Sequence, residues 1–174
     1  MNTAQTHKLQ SSASVNCMVI TVSDTRNQET DKSGKLMIRL LEEAGHAVTA
    51  YQIVQDDFEA IREIIVTAVS NAEIDIILLT GGTGISSRDT TYEAVSSLLD
   101  KELPGFGEIF RYLSFTEDIG TAAILSRAIG GTLRSTAIFS MPGSTGAVSL
   151  AMNRILLPEL RHIKYELDKH KPQP

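Results

Sequence analysis

The chain predicts an α/β fold around a mostly parallel sheet, and three observations carry that prediction. From about residue 16 onward, apolar runs alternate with segments of helical period, the pattern of successive βαβ units. Three loops rich in Gly, Ser, Thr and Asp fall at the carboxyl ends of those runs, where open α/β sheets bind ligands. The 174 residues, 42% hydrophobic and 21% charged, suit one domain with a sizeable core that needs no disulfide or metal staple.

The first run, "CMVITV", reads as a strand, and its Cys17, the sole cysteine, is expected to pack as a small hydrophobe. "GKLMIRLLEEAG" follows as a helix in which Leu36, Leu40 and Leu41 share a face and Gly45 supplies a left-handed stop. After the strand "VTAYQIV" comes the helix "FEAIREIIVTAVSN", with Ile61, Ile64, Ile65 and Ala68 at helical spacing and Asp56 or Asp57 available as its N-cap. The strand "IDIILLT" leads into a glycine corner, and the next helix opens where Thr90 and Glu93 stand at capping-box spacing. "PGFGEIFRYLSF" and "GTAAILSRAIG" then both read as helical with no strand between them, a poor fit to simple alternation. A last strand, "STAIFSMPG", precedes "AVSLAMNRILL", and "PELRHIKYELDKH" closes the chain as a helix with proline at its first position. Residues 1–14 and 169–174 are expected to be mobile tails around a single domain at 15–168.

Several function classes are disfavoured. A net charge of −5 argues against a nucleic-acid partner bound through a broad basic surface. The polar N-terminus carries no secretory h-region, and no apolar stretch is long enough to span a membrane, so a cytoplasmic protein without a membrane partner is expected. His7, His46, His162 and His170 are scattered and are expected at the surface, forming neither a metal cluster nor a nucleophile's base.

Chemistry concentrates in "SDTRNQETDKSG", "TGGTGISSRD" and "MPGSTG", which should converge on one edge of the sheet. Gly81, Gly82 and Gly84, beside Thr80, Thr83, Ser86 and Ser87, would let several backbone N–H groups approach phosphate oxygens without a Cβ in the way. The corner matches neither the Walker loop nor the dinucleotide fingerprint. Asp89 would repel a phosphate there unless a cation bridged the two. Mg²⁺ is the usual bridge, with Asp56 as a second carboxylate if Asp57 does the capping. Arg88 stands as a phosphate clamp or as a solvated ion pair.

"TGGTGISSRDTTYEA", "VQDD", "PGFGEIFR", "AILSRA" and "MPGST", taken in order, resemble the MoaB/MogA family of molybdenum cofactor biosynthesis proteins, and the form of the later motifs resembles the MoaB branch. The resemblance implies a three-layer αβα sandwich that binds molybdopterin and assembles as a homotrimer or hexamer. It implies adenylation of molybdopterin by ATP with Mg²⁺, releasing pyrophosphate, or binding and carriage of the pterin in the same pathway, alongside other enzymes of cofactor biosynthesis. Asp56 and Asp89 fall on the family's essential carboxylates. Ser23, Asp24, Asp31, Ser33 and Gly34 meet its first-loop pattern, Gly81, Gly82, Thr83 and Gly84 its glycine corner, with Thr80 and Arg88 as further binding candidates beside it, and Pro142, Gly143, Ser144 and Thr145 its last corner. In "GEIFRYLSF", Phe110, Tyr112, Leu113 and Phe115 offer more apolar surface than one helix face needs, which suits either core packing or self-association.

Overall fold

A computed structural model describes residues 14–170. The four anticipated strands, β1 (Asn16–Val22), β2 (Ala47–Val54), β3 (Ile76–Thr80) and β6 (Thr136–Met141), run parallel in the order β2-β1-β3-β6. Every residue of β3 and β6 is buried, as a sheet covered on both faces requires. Helices α1 (Lys32–Glu43), α4 (Pro104–Glu117), α5 (Thr145–Ala151) and α6 (Leu157–Asp168) cover the face that carries Cys17, Val19, Leu78 and Phe139. On the other face, α2 (Phe58–Val69) and α3 (Thr91–Ser96) bury Met18, Ile20, Ile77 and Leu79. The result is a three-layer αβα sandwich with a mixed sheet.

Two further strands complete the sheet. β5 (Ile129–Leu133) pairs antiparallel with β6, and the short β4 (Lys101–Glu102) pairs antiparallel with β5. The segment "GTAAILSRAIG", expected to be helical throughout, is therefore a 3₁₀ turn at Gly120–Leu125 followed by the start of a strand. The strand is hidden by its glycines, which lower its apparent β propensity. A Cβ on Gly130 would lie 2.6 Å from the Phe139 ring, and one on Gly131 would lie 2.4 Å from the Lys101 carbonyl oxygen.

Local signals mostly acted as their chemistry dictates. Gly45 ends α1 at φ 79°, and Met37 and Leu41 form the deepest part of that helix, with Leu36 and Leu40 at its margins. Asp57 caps α2 by accepting from Ala60 N–H at 2.9 Å, which leaves Asp56 free of that task. Thr90 and Glu93 form no capping box: the Thr90 side chain makes no cap bond and instead donates to Asp56 Oδ1 at 2.9 Å. Pro158 does stand in the first turn of α6, as expected, but that helix continues directly from the one before it. The chain is helical from Thr145 to Asp168, and a wider π turn at Met152–Leu156 precedes the proline, absorbing its missing N–H and its ring. No helix among the described residues is long and apolar enough to cross a membrane. The mobile tails expected at 1–14 and 169–174 lie almost wholly outside the described residues.

Candidate functional site

Between β1 and β3 the outgoing connections leave on opposite faces, through α1 after β1 and through α3 after β3, and this is the switch point of the sheet. A cleft of about 260 Å³ opens there, lined by Thr21 and Val22 from β1, Thr80 and Gly81 from β3, Gly143 and Ser144 after β6, and Arg26, Asp31 and Ser33 from the first loop. The three loops do converge. Ser33 Oγ donates to the Gly143 carbonyl at 2.7 Å, Thr80 Oγ1 to that of Pro142 at 3.1 Å, and Gly81 N–H to that of Met141 at 3.0 Å. Gly81 sits at φ 104°, and a Cβ on it would lie 2.2 Å from the Val22 carbonyl oxygen, so only glycine allows this approach. Ser144 caps α5 through Ala147 N–H at 3.1 Å, Thr145 follows exposed, and Thr83 is buried beneath the corner.

Asp31 lies at the floor of this cleft, fully buried, and its bonding capacity is already committed. Its carboxylate accepts from Thr21 Oγ1 at 2.5 Å, Tyr51 OH at 2.6 Å and Gly34 N–H at 2.9 Å, the last bond capping α1. Burial pushes the Asp31 carboxyl up, but these bonds and the charge of Arg26 outweigh it and hold the group below the usual carboxylate range. The Tyr51 hydroxyl is pushed well above its ordinary value by burial and by the carboxylate it serves. A Cβ on Gly34 would fall 2.2 Å from Asp31 Oδ2, so the "D-x-S-G" pattern records this packing.

Asp56 and Asp89 are placed differently. Each is partly exposed and stands against a corner glycine: a Cβ on Gly82 would lie 2.7 Å from Asp56 Oδ2, and one on Gly84 would lie 2.7 Å from Asp89 Oδ2. Asp56 Oδ1 accepts from the N–H and hydroxyl of Thr90, and Asp89 Oδ2 accepts from Ser86 N–H at 2.8 Å. Among the described residues neither Asp56 Oδ2 nor Asp89 Oδ1 has a hydrogen-bond partner. Beside Asp56 the hydroxyl of Thr91 is buried without a partner, and Gly82 separates it from Asp56 Oδ2, its missing Cβ lying 2.1 Å from Thr91 Oγ1. Two carboxylates with free oxygens and an orphaned hydroxyl are hard oxygen donors, a set that fits Mg²⁺ completed by phosphate oxygens and water. No cluster of three His, Cys, Asp or Glu suited to a metal occurs among the described residues.

Asp24 from the first loop and Arg88 from the glycine corner brace this arrangement. Arg88 pairs with Asp24 at 3.0 Å, and Asp24 Oδ1 accepts from Asp56 N–H at 3.1 Å. Ser23 turns the loop by accepting from Thr25 and Arg26 N–H. Neither Tyr51 nor Thr91 is marked by the sequence as part of the site, since no spacing ties them to the loops they serve. His46 also departs from expectation. It is buried, its Nδ1 accepts from Val15 N–H at 3.2 Å, and burial with nearby Arg161 keeps the ring below its usual pKa. Cys17 is buried as expected, its thiol pushed up to about 12.

A three-layer αβα sandwich whose switch-point cleft is lined by three Gly-, Ser- and Thr-rich loops defines a class of doubly wound α/β domains. A family model described as a probable molybdopterin binding domain matches residues 18–162. The chain belongs to the MoaB/MogA family of molybdenum cofactor biosynthesis proteins. It is 61% identical over 165 residues to molybdenum cofactor biosynthesis protein B of Halalkalibacterium halodurans, spanning 95% of this chain and 97% of that relative. It superposes on a crystal structure of molybdenum cofactor biosynthesis protein B with a TM-score of 0.89 at 56% identity, covering 91% and 98% of the two chains. The tungsten cofactor synthesizing protein MoaB from Pyrococcus furiosus superposes with a TM-score of 0.78 at 38% identity, covering 88% and 97%.

Proposed function

We propose that this chain is a molybdopterin adenylyltransferase, a cytoplasmic single-domain protein (15–168) that binds molybdopterin and transfers AMP to it from ATP. The observation that carries this reading is the pair Asp56 and Asp89, each partly exposed against a corner glycine and each with an uncommitted oxygen. In the reaction an oxygen of the pterin's terminal phosphate attacks the α-phosphorus of ATP. The bond from that phosphorus to the bridging oxygen breaks, and pyrophosphate leaves with the electron pair. The acceptor is already an anion, so no general base is needed.

What remains is positioning and charge compensation. Asp56 and Asp89 would hold Mg²⁺, with Thr91 Oγ1 as a neutral neighbour, and the ion would offset charge on the phosphates. The backbone of the glycine corner would receive phosphate oxygens, and Ser33, Ser144 and Thr145 would define the pterin side of the cleft. A second cleft of about 530 Å³, lined by Phe58, Ile85, Ser86, Asp89 and Glu93, leaves room for another ligand on the far side of the corner. Arg88, released from Asp24, would reach a phosphate there.

The test is turnover of molybdopterin with ATP and Mg²⁺, following the adenylyl product by mass. Asp89→Ala should lower the rate by about a hundredfold or more while the protein stays folded. Pterin binding without product from the wild type would make the chain a carrier and refute adenylation.

Self-association belongs to the same proposal. Along α4, Phe106 and Phe110 are buried, while Ile109, Tyr112 and Phe115 form an outer stripe joined by Ile119, Ile124 and Leu125, each at least half exposed. Leu113 is half-buried at the margin. Such a contiguous apolar patch suits a homotrimer or hexamer contact. Tyr112→Glu with Phe115→Glu should reduce the mass seen by analytical ultracentrifugation to that of a monomer; an unchanged mass would remove this face from the interface.

A further inference from the structure

Arg127, which lies outside all three loops, is bonded into the glycine corner. It follows the 3₁₀ turn, and its Nε donates to the Gly84 carbonyl at 2.8 Å and, at a longer 3.4 Å, to that of Thr83. One terminal nitrogen, Nη2, donates to the Asp89 carbonyl at 3.1 Å, and the other, Nη1, pairs with the Glu93 carboxylate. The guanidinium also lies over the Tyr92 ring, 5.3 Å from its centroid. Tyr92 and Glu93 belong to α3, so one side chain ties both ends of the corner to the helix that follows it.

These bonds dictate where the amides face. A peptide unit is planar and trans, so its C=O and the N–H of the next residue point in opposite directions. Holding the Asp89 carbonyl on Arg127 therefore turns Thr90 N–H away, and that N–H is found on Asp56 Oδ1 at 3.0 Å. By the same rule, holding the carbonyls of Thr83 and Gly84 turns the N–H groups of Gly84 and Ile85 away from the guanidinium. Neither of those two amides has an acceptor among the described residues. Glu93 already compensates the charge of Arg127, so the guanidinium acts on this corner through the direction of its donors.

We propose that Arg127 is a positioning residue of this site: by gathering the carbonyls of Thr83, Gly84 and Asp89 it aims the Gly84 and Ile85 amides at an anionic oxygen and seats Asp56 on Thr90. The proposal rests on the adenylation reading only for the rate it affects. A lysine retains the charge but lacks the planar fork that serves separate acceptors at once.

Arg127→Lys and Arg127→Ala in the full chain test this by two readouts. The first is amide hydrogen exchange without ligand. The bonded amides of Ser86, Asp89, Thr90 and Thr91 should lose protection in both variants, while those of β1 and β3 keep it. The second is adenylyl transfer, which should fall by about a hundredfold in kcat and recover in part when methylguanidinium is added to Arg127→Ala. Wild-type protection at the corner in both variants overturns the proposal whether or not the protein turns over. Protection lost evenly through the sheet in Arg127→Lys also overturns it, marking a general stabilising role. If the wild type makes no product but the corner alone loses protection in the variants, the positioning role stands and adenylation falls.

Discussion

Asp31 and Asp56 both follow parallel strands of one sheet, and both stand beside a glycine whose Cβ would strike the carboxylate, at 2.2 Å for Gly34 and 2.7 Å for Gly82. Asp31 is fully buried and accepts from Thr21, Tyr51 and Gly34. Asp56 is partly exposed, spends Oδ1 on Thr90 and keeps Oδ2 free beside an orphaned hydroxyl. A carboxylate becomes available to a ligand through lone pairs its neighbours leave unused, and residue type and loop position do not reveal that. A buried and saturated carboxylate holds the fold; a partly exposed and unsaturated one can hold an ion.

The largest expected effect breaks that contrast at Asp31. Asp31→Ala strands two hydroxyls and a backbone N–H, costing roughly 3–5 kcal/mol, or about 10 °C in Tm. Asp56→Asn keeps an acceptor for Thr90 and should leave Tm within a few degrees while abolishing Mg²⁺-dependent turnover. Thermal unfolding of the two variants side by side decides the matter, and equal losses of stability would erase the distinction. An intermediate effect is expected for Gly82→Ala. The positive φ of 63° alone costs about 1–2 kcal/mol, and the new Cβ would press on Thr91 Oγ1 and Asp56 Oδ2. Weaker Mn²⁺ binding, measured by its paramagnetic signal, should accompany the lost stability.

The smallest effect concerns pH. His46 must be neutral at Nδ1 to accept from Val15, and burial holds its folded pKa below the unfolded value of about 6.5. The unfolded chain therefore binds more protons as pH falls through that value, and stability declines. Asp31, depressed in the same sense, adds a further loss at lower pH, from the ordinary carboxylate range down through its folded pKa. Denaturant titrations between pH 7 and 5 should show the first decline in the wild type and a flatter profile in His46→Gln. Identical profiles would show that another group controls this limb.

Much of the molecule was legible in its residues. The four parallel strands, the helices between them, the Gly45 stop and the convergence of three loops all follow from period, apolar runs and the special chemistry of glycine. β5 escaped because Gly130 and Gly131 carry its pairing without β-forming side chains, and their purpose becomes visible only when Phe139 and Lys101 are seen against them. His46 looked like a surface residue because it follows a helix stop, yet the stop turns it beneath the start of β1.

By itself, then, the sequence determined the α/β class, the convergence of three loops at the carboxyl edge of the sheet and the residue types gathered there, because these depend on local periodicity and on connections between neighbouring elements. Tertiary structure alone decided which aspartate is saturated and which is free, and that Arg127 holds the glycine corner. Hydrogen bonds between groups tens of residues apart leave no spacing to read, and a carboxylate's remaining capacity is known only once all its neighbours are in place.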